Sequence, residues 1–524
     1  LDCQLELQKD NLDFPKRKEV KSVKKINRWI LLIAALILSI FSCHNKNIKD
    51  FNNSEKSKIE KSGVYYEIFV RSYADSNNDK IGDIKGITDK LDELKELGIQ
   101  GIWLTPIFKS PSYHKYDVTD YYTIDPEYGT KEDLKNLVSK AHSKGIKIIL
   151  DLPVNHTSKE HPWFKDAVQN KDSKYKSYYR VAQNNDKSLN LNSYAMDHKS
   201  WNKLNNEEQY YAIFWEGMPD LNYSNKQVRE EVKKIAKYWI SEAKIDGYRI
   251  DGAYHIYGEG EYPEKVDLEK ENINWWKEFR NSLEKEYPNI YIVGEVWNDT
   301  NKIAPYYTAF DSNFDFGISE NGIAEAINSQ DATIFSDKLS KIYETYGKVA
   351  SNYIDAPFLT NHDQNRIANS LLDLKHQKLA ASILLTLSGN PFIYYGEELG
   401  MKGSKPDEEI REPYLWGSEV GQTNWEEIKN NTNTPSLEVQ KKNPDSLYNY
   451  YKKWIALRNE NEALKYGDLQ IVNVNDNQIL AYKRTYKNKS VIVLHNLSDT
   501  EKNVNVDGKN VKISGLTSIL VNAI

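Results

Sequence analysis

Eight short β-type runs, separated by amphipathic stretches of helical spacing, constrain this chain more than any other feature. They are VYYEIFV (64–70), GIQGIWLTP (98–106), IKIILDLP (146–153), IDGYRID (245–251), NIYIVGE (289–295), SNFDFG (312–317), APFLT (356–360) and PFIYYGE (391–397). Between them lie patterns such as KGITDKLDELKELG and KEDLKNLVSKAHSKG. Each is closed by a Gly that can take the left-handed conformation at a helix C-terminus. Eight strand–helix alternations predict an α/β fold, a (β/α)8 TIM barrel, with SNFDFG as its weakest strand.

One interval breaks the rhythm. The third and fourth runs are separated by about three times the roughly 30 residues of a β-α unit. The excess, residues 156–228, is rich in Tyr, Asn and Lys and predicts an excursion over the barrel mouth. The barrel then comprises 63–155 and 229–462. Residues 463–524 alternate with period two and predict a C-terminal antiparallel β domain.

The N-terminal region reads as an export signal. A basic stretch (16–28) precedes WILLIAALILSIF (29–41), which is shorter than the about 20 residues a bilayer span needs. Ser42-Cys43 follows, resembling a bacterial lipoprotein signal in which Cys43 is lipidated. Residues 1–42 are then the signal and 43–62 a tether. Because the first residue is Leu1, residues 1 to about 20 read as an over-extended gene start. The expected protein is exported, anchored to a membrane by lipid, and monomeric.

Composition excludes other classes. With 70 basic against 76 acidic residues, a net charge of −6 argues against nucleic acid as partner. Two cysteines exclude a disulfide-built scaffold and a cysteine-based zinc site. The 12 Trp and 36 Tyr against 14 Phe supply flat faces with polar edges, suited to sugar rings and equally to ordinary cores.

In such a barrel, reactive residues sit at the C-terminal ends of strands. Four runs end in polar clusters: Asp151…Asn155-His156, Arg249-Ile-Asp251, Glu295-Val-Trp297 and Asn361-His362-Asp363. A lone strand-end carboxylate is more often a salt-bridge partner than a catalyst, but Asp251, Glu295 and Asp363 converge on one mouth from three strands. Arg249 and Asp251, at i and i+2, project together. The guanidinium is expected to lower the Asp251 pKa, and neighbouring carboxylates to raise that of Glu295. One ionised and one protonated carboxyl is what glycoside hydrolysis needs.

DLPVNH, GYRIDGAYH, GEVW and FLTNHD resemble the ordered signature segments of the α-amylase family, glycoside hydrolase family 13. The resemblance extends from Gly63 to the C-terminus and implies domain B at 156–228 and domain C at the end. It also implies Asp251 as nucleophile, Glu295 as general acid/base and Asp363 as transition-state stabiliser. Tyr116, stacked under the sugar, would bind an α-glucan with His156, Arg249, His255, Trp297, His362 and Arg366. Met218-Pro-Asp-Leu-Asn222 resembles bacterial α-amylases intermediate between oligo-1,6-glucosidases and neopullulanases. Tyr113 stands where exo-acting relatives carry a blocking Asp, which favours an open, endo-type cleft. Lys115 stands where Gly is common, and Tyr254 where many relatives have Lys.

Residues 75–83 place oxygen side chains at positions 1, 3, 5 and 9, the spacing of a calcium loop. Asp75, Asn77, Asp79 and Asp83, with the Ile81 carbonyl, are the candidate Ca2+ ligands, although Lys80 replaces the usual Gly at position 6. A second site, implied by the resemblance, would use Asn155, Asp220 and the His255 carbonyl. The rival readings are an exo-α-glucosidase, cyclomaltodextrinase or transglycosylase of the same family, or a non-catalytic glucan-capturing lipoprotein.

Overall fold

The computed structural model describes residues 57–522 except 259, 264, 320 and 321; the signal segment and Cys43 lie outside the described residues. Six parallel strands follow the first six apolar runs: β1 (Tyr65–Ile68), β2 (Gly101–Leu104), β3 (Lys147–Leu152), β4 (Gly247–Ile250), β5 (Tyr291–Gly294) and β6 (Ser312–Asn313). The seventh run contributes only two parallel bridges, Phe314 to Ala356 and Phe358 to Phe392, at the position called β7 (residues 356–358). These connect β6 to β8 (Phe392–Tyr394), and β8 pairs back onto β1. The sheet therefore closes into the predicted barrel.

The two-residue period of the strands sorts their side chains. Tyr65, Trp103, Ile149, Val293, Phe358 and Phe392 point inward and fill the barrel. Tyr66, Ile102, Ile148, Tyr248 and Ile292 point outward into the core beneath the helices. Gly101 is required on β2, because a Cβ there would lie 2.3 Å from the inward Tyr65 ring. The helices are cut by their caps. Lys131–Ser143 starts with a Thr130/Asp133 capping box and buries Leu134, Leu137, Val138 and Ala141 at helical spacing.

The long interval carries its own small sheet, in which Glu208–Tyr211 pairs antiparallel with Val181–Gln183 and Trp201–Lys203. The barrel resumes at helix Lys226–Ala243, three residues before the expected boundary, because the Asn225 side chain caps it by accepting from the Gln227 amide. At the C-terminus, helix Glu462–Tyr466 precedes a four-stranded antiparallel sheet that begins at Asp468. Arg484 of that sheet is fully buried and donates to the Leu387 and Gly467 carbonyls, fastening sheet to barrel. No described helix is long and apolar enough to cross a membrane.

The expected tether, 43–62, extends too far. Residues 57–61 are helical, and Lys61 and Ser62 are buried. Lys61 Nζ lies 2.8 Å from Asp311, which also binds Arg280 at 2.6 Å. Asn390 donates to the Lys61 carbonyl and accepts from the Gly63 amide, tying this segment to the N-terminal end of the barrel. Burial pushes the Asp311 carboxyl up, but Arg280 and Lys61 outweigh it and hold its pKa below the usual range. A depressed carboxyl stabilises above the unfolded value of about 3.9 and loses that contribution as pH falls through the folded one. Lys61→Met should lower the unfolding free energy by about 1.5–3 kcal/mol at pH 7 and by less near pH 3, read from urea midpoints.

Candidate active site

Arg249 organises the mouth of the barrel. On β4 it stands in register with Asp151 of β3, and only 1% of it is exposed. Its Nη1 lies 2.9 Å from both Asp151 oxygens and 2.7 Å from Asp251 Oδ1. Nη2 lies 2.7 Å from Glu295 Oε2, which also accepts from the Gly252 amide at 2.9 Å. One cation thus joins carboxylates from three adjacent strands. These contacts fall on Asp251 Oδ1 and Glu295 Oε2, and the other oxygen of each carboxyl is not shared with Arg249.

This geometry corrects the expected protonation pattern. Burial raises the Asp251 pKa, and Arg249 only partly opposes it. Burial raises Glu295 as well, again against Arg249. The guanidinium touches both carboxyls equally closely, so it does not set them apart by opposite shifts. Their bonding differs instead: Glu295 has two donors on one oxygen, whereas Asp251 has a single Arg249 contact.

Asp363 is held separately. Arg411 Nη2 donates to its Oδ1 at 3.0 Å, and His362 Nε2 lies 3.2 Å from its Oδ2. Burial pushes Asp363 up, but His362, Arg411 and Arg249 outweigh it and bring the pKa down to about 2. Arg411 also binds Asp407, the Tyr113 hydroxyl and the His362 carbonyl. Arg366, expected to contact substrate, does not reach the carboxylates. It is fully buried, with its guanidinium on the Ile410 and Tyr395 carbonyls and packed against Tyr394 and Tyr395. It shapes the chain leading to Arg411.

Tyr116 lies between the two groups. Its ring stacks on His362 at 5.5 Å and 9°, and its hydroxyl reaches Asp151 at 3.1 Å and His362 Nε2 at 2.7 Å. Lys115 explains its own substitution: it takes φ 65°, the conformation a Gly would supply, and its Nζ is buried against Asp125 at 3.0 Å and Glu127 at 2.7 Å. His156 is buried with Nε2 on the Tyr116 carbonyl at 3.2 Å, and burial lowers its pKa to about 4. His255 follows β4 on a short 3-10 turn with its ring edge on Phe214, apart from the carboxylates, and burial lowers it to about 4. Trp297 is 40% exposed and stacks on Phe316 at 4.5 Å and 13°.

Asp151, Arg411 and Glu67 belong to this site without having been assigned to it. Asp151 was visible as a strand-end carboxylate, and Glu67 as the charge within VYYEIFV. No pattern in the sequence distinguishes Arg411.

At residues 75–83, Asp75 accepts from the Asn77, Asn78 and Lys80 amides, and Asp79 from the Ile81 amide. Asp83, expected as a ligand, instead caps helix Ile84–Asp89 through the Gly86 amide and binds Ser76. Lys80 takes φ 78°, tracing the turn that normally needs Gly. Asn155 Oδ1 and Nδ2 and Asp220 Oδ2 are buried without a hydrogen-bond partner. No group of three or more His, Cys, Asp and Glu among the described residues is arranged to hold a metal.

A closed (β/α)8 barrel with carboxyls grouped on an arginine at its mouth suits a glycoside hydrolase, and the chain belongs to the α-amylase family. The family model "Alpha amylase, catalytic domain" matches residues 67–467, and the "Alpha-amylase SusG C-terminal domain" matches 479–519. The chain is 43% identical to "Alpha-amylase 3" of Dictyoglomus thermophilum, with 92% of each chain covered. It is 33% identical to a 4-alpha-glucanotransferase of Thermotoga neapolitana, over 84% of this chain and 96% of that one. The crystal structure of alpha-amylase from H.orenii superposes with TM-score 0.81 at 44% identity, covering 88% of this chain and 99% of that one. Oligo-1,6-glucosidases and cyclomaltodextrinases are also relatives, consistent with an intermediate position in the family.

Arg249→Met should destabilise the fold by about 3–5 kcal/mol, because three carboxylates lose their shared cation. A carboxyl whose folded pKa is raised contributes stability below the unfolded value and loses it as pH rises through the folded one. Removing Arg249 raises these pKa values further, so the loss should be larger at pH 8 than at pH 5 in paired chemical melts.

Proposed function

We propose that the protein is a retaining, endo-acting α-amylase that cleaves α-1,4-glucosidic bonds in starch, glycogen or maltodextrins. The observation that carries this reading is the single guanidinium holding Asp251 and Glu295 side by side. Carboxyls arranged in this way suit the about 5–5.5 Å spacing of a double displacement better than the about 6.5–9.5 Å that admits a water between them. Asp251 Oδ2 attacks the anomeric carbon while Glu295 Oε1 protonates the departing glycosidic oxygen. The resulting glycosyl ester is hydrolysed by a water whose proton returns to Glu295. Asp363, ionised, faces the hydroxyls of the distorted ring. Asp251→Asn and Glu295→Gln should each lower kcat by about 10^2–10^4 or more while glucan binding persists. Turnover retained in Asp251→Asn would remove it as nucleophile.

Endo action is supported by Tyr113. It lies 5.2 Å from Trp425 in a stacked pair and accepts from Arg411 at 3.1 Å. An aromatic face at that position offers a platform for a further glucose, where a carboxylate would grip a terminal one. On soluble starch, iodine staining should fall quickly, with maltose and longer oligomers appearing early. Glucose release from isomaltose or maltotriose with starch left intact would assign the exo-glucosidase activity instead. The exposed Trp297 favours a second reading, transglycosylation, since an acceptor sugar could stack there and compete with water for the same ester.

Calcium forms part of the proposal. Asp75, Asn77, Asp79 and the Ile81 carbonyl would hold one ion, and Asn155, Asp220 and the His255 carbonyl a second. The buried oxygens Asn155 Oδ1 and Asp220 Oδ2 fit an oxygen-seeking cation, which would brace the base of domain B. Calcium at about 100 times its Kd should add about 2.7 kcal/mol of stability. A melting temperature unchanged by EDTA would exclude both sites. The proposed export and lipidation at Cys43 rest on the signal pattern alone, and membrane fractionation of Cys43→Ala tests them.

A further inference from the structure

We propose that Glu67, on the first barrel strand, is a positioning residue that holds the His362 ring protonated on both nitrogens, so that its Nε2–H is fixed on the Tyr116 hydroxyl and its positive charge stands beside Asp363. This inference rests on the glycosidase reading above and extends it to a residue that reading does not use. Glu67 is 2% exposed and lies on the inward face of β1, two residues beyond Tyr65. Its Oε1 stands 2.5 Å from His362 Nδ1. On the other side of the ring, Nε2 stands 3.2 Å from Asp363 Oδ2 and 2.7 Å from the Tyr116 hydroxyl. An imidazole nitrogen bonds an ionised carboxylate only as a donor, which puts a proton on Nδ1 facing Glu67, and a hydroxyl that already donates elsewhere puts one on Nε2. The Tyr116 hydroxyl agrees, since its single proton is directed at Asp151 Oδ2 and leaves it to accept from Nε2.

The ring is enclosed by charges from every neighbouring element. Glu67 faces it from β1, Tyr116 from the loop after β2, Asp151 from β3, and Arg249 and Asp251 from the end of β4. Asp363 adjoins it in sequence, and Arg411 follows β8. Trp103 meets the ring edge-on at 5.6 Å and closes it off from water. Burial works against the charged ring, but Asp363 and Glu67 outweigh burial and the opposing Arg411, raising its pKa. Burial likewise raises Glu67, and the His362 ring pulls it back. The Glu67 carboxyl makes its hydrogen bond to His362, through which it would act on the site.

Glu67→Gln tests this, because the amide keeps the size and an acceptor oxygen but loses the charge. With 15N-histidine NMR on the full chain, His362 (assigned with His362→Gln) should show both nitrogens protonated at pH 7 in the wild type. In Glu67→Gln it should titrate at least about one pH unit lower. On a maltooligosaccharide, kcat should fall about tenfold with KM little changed, and the alkaline limb of the kcat/KM profile should move to lower pH by the same amount. Glu67→Asp should restore part of the limb. An unmoved His362 titration and alkaline limb in Glu67→Gln would overturn the role, as would a neutral His362 in the wild type. The NMR readout needs no turnover, so it separates this outcome from a wild-type protein that fails to cleave α-glucans. Should Glu67→Gln fail to fold, the wild-type ring nitrogens decide alone.

Discussion

A buried guanidinium cannot be left alone, and neither can three buried carboxylates; at Arg249 each demand meets the other. Placing Asp151, Asp251 and Glu295 on neighbouring strands without a cation would drive protons onto them or water among them. The barrel solves this by register. Arg249 and Asp151 are opposite one another across β3 and β4, and Glu295 follows β5 by one residue. The inward layer beneath, with Tyr65, Trp103, Ile149 and Val293, supplies the dry floor that makes these charges interact strongly. Apolar packing and reactive chemistry are successive layers of one column of side chains.

Much of this was legible in the chain. The alternation of eight short β-type runs with helical patterns revealed the barrel. The anomalous interval marked where the chain leaves the barrel to form a separate three-stranded sheet. The least regular parts were the sixth and seventh strands, where Ser312–Asn313 and two bridges complete the ring with few hydrogen bonds. Sequence spacing revealed that Arg249 and Asp251 share a face but not that Glu295 and Asp151 claim the same guanidinium, so the direction of the Asp251 shift was misread. Arg366 and Arg411 show the same limit. Both are buried arginines near the mouth, and only the path of the chain after β8 decides which one meets Asp363.

Two lysines break local rules in loops that carry candidate site residues. Lys80 and Lys115 both occupy the left-handed region, where a side chain is strained by about 1–2 kcal/mol relative to Gly. At Lys115 the compensation is evident, since its ammonium is buried between Asp125 and Glu127 and anchors the loop that carries Tyr116. A Gly would relieve the backbone but leave Asp125 without its cation and Glu127 with Arg71 alone. Such exchanges of strain for charge pairing suit a loop that must hold one aromatic ring in place.

The Lys61 lock fixes where the described chain enters the barrel. Residues 59–63 join the N-terminal ends of the strands, whereas Arg249, Glu295 and Asp363 lie at the C-terminal ends. A leash pulling on the N-terminal segment would load the floor of the enzyme and leave its mouth unstressed. Force would be borne by the Lys61–Asp311–Arg280 linkage, at the far end of the barrel from the reacting sugar.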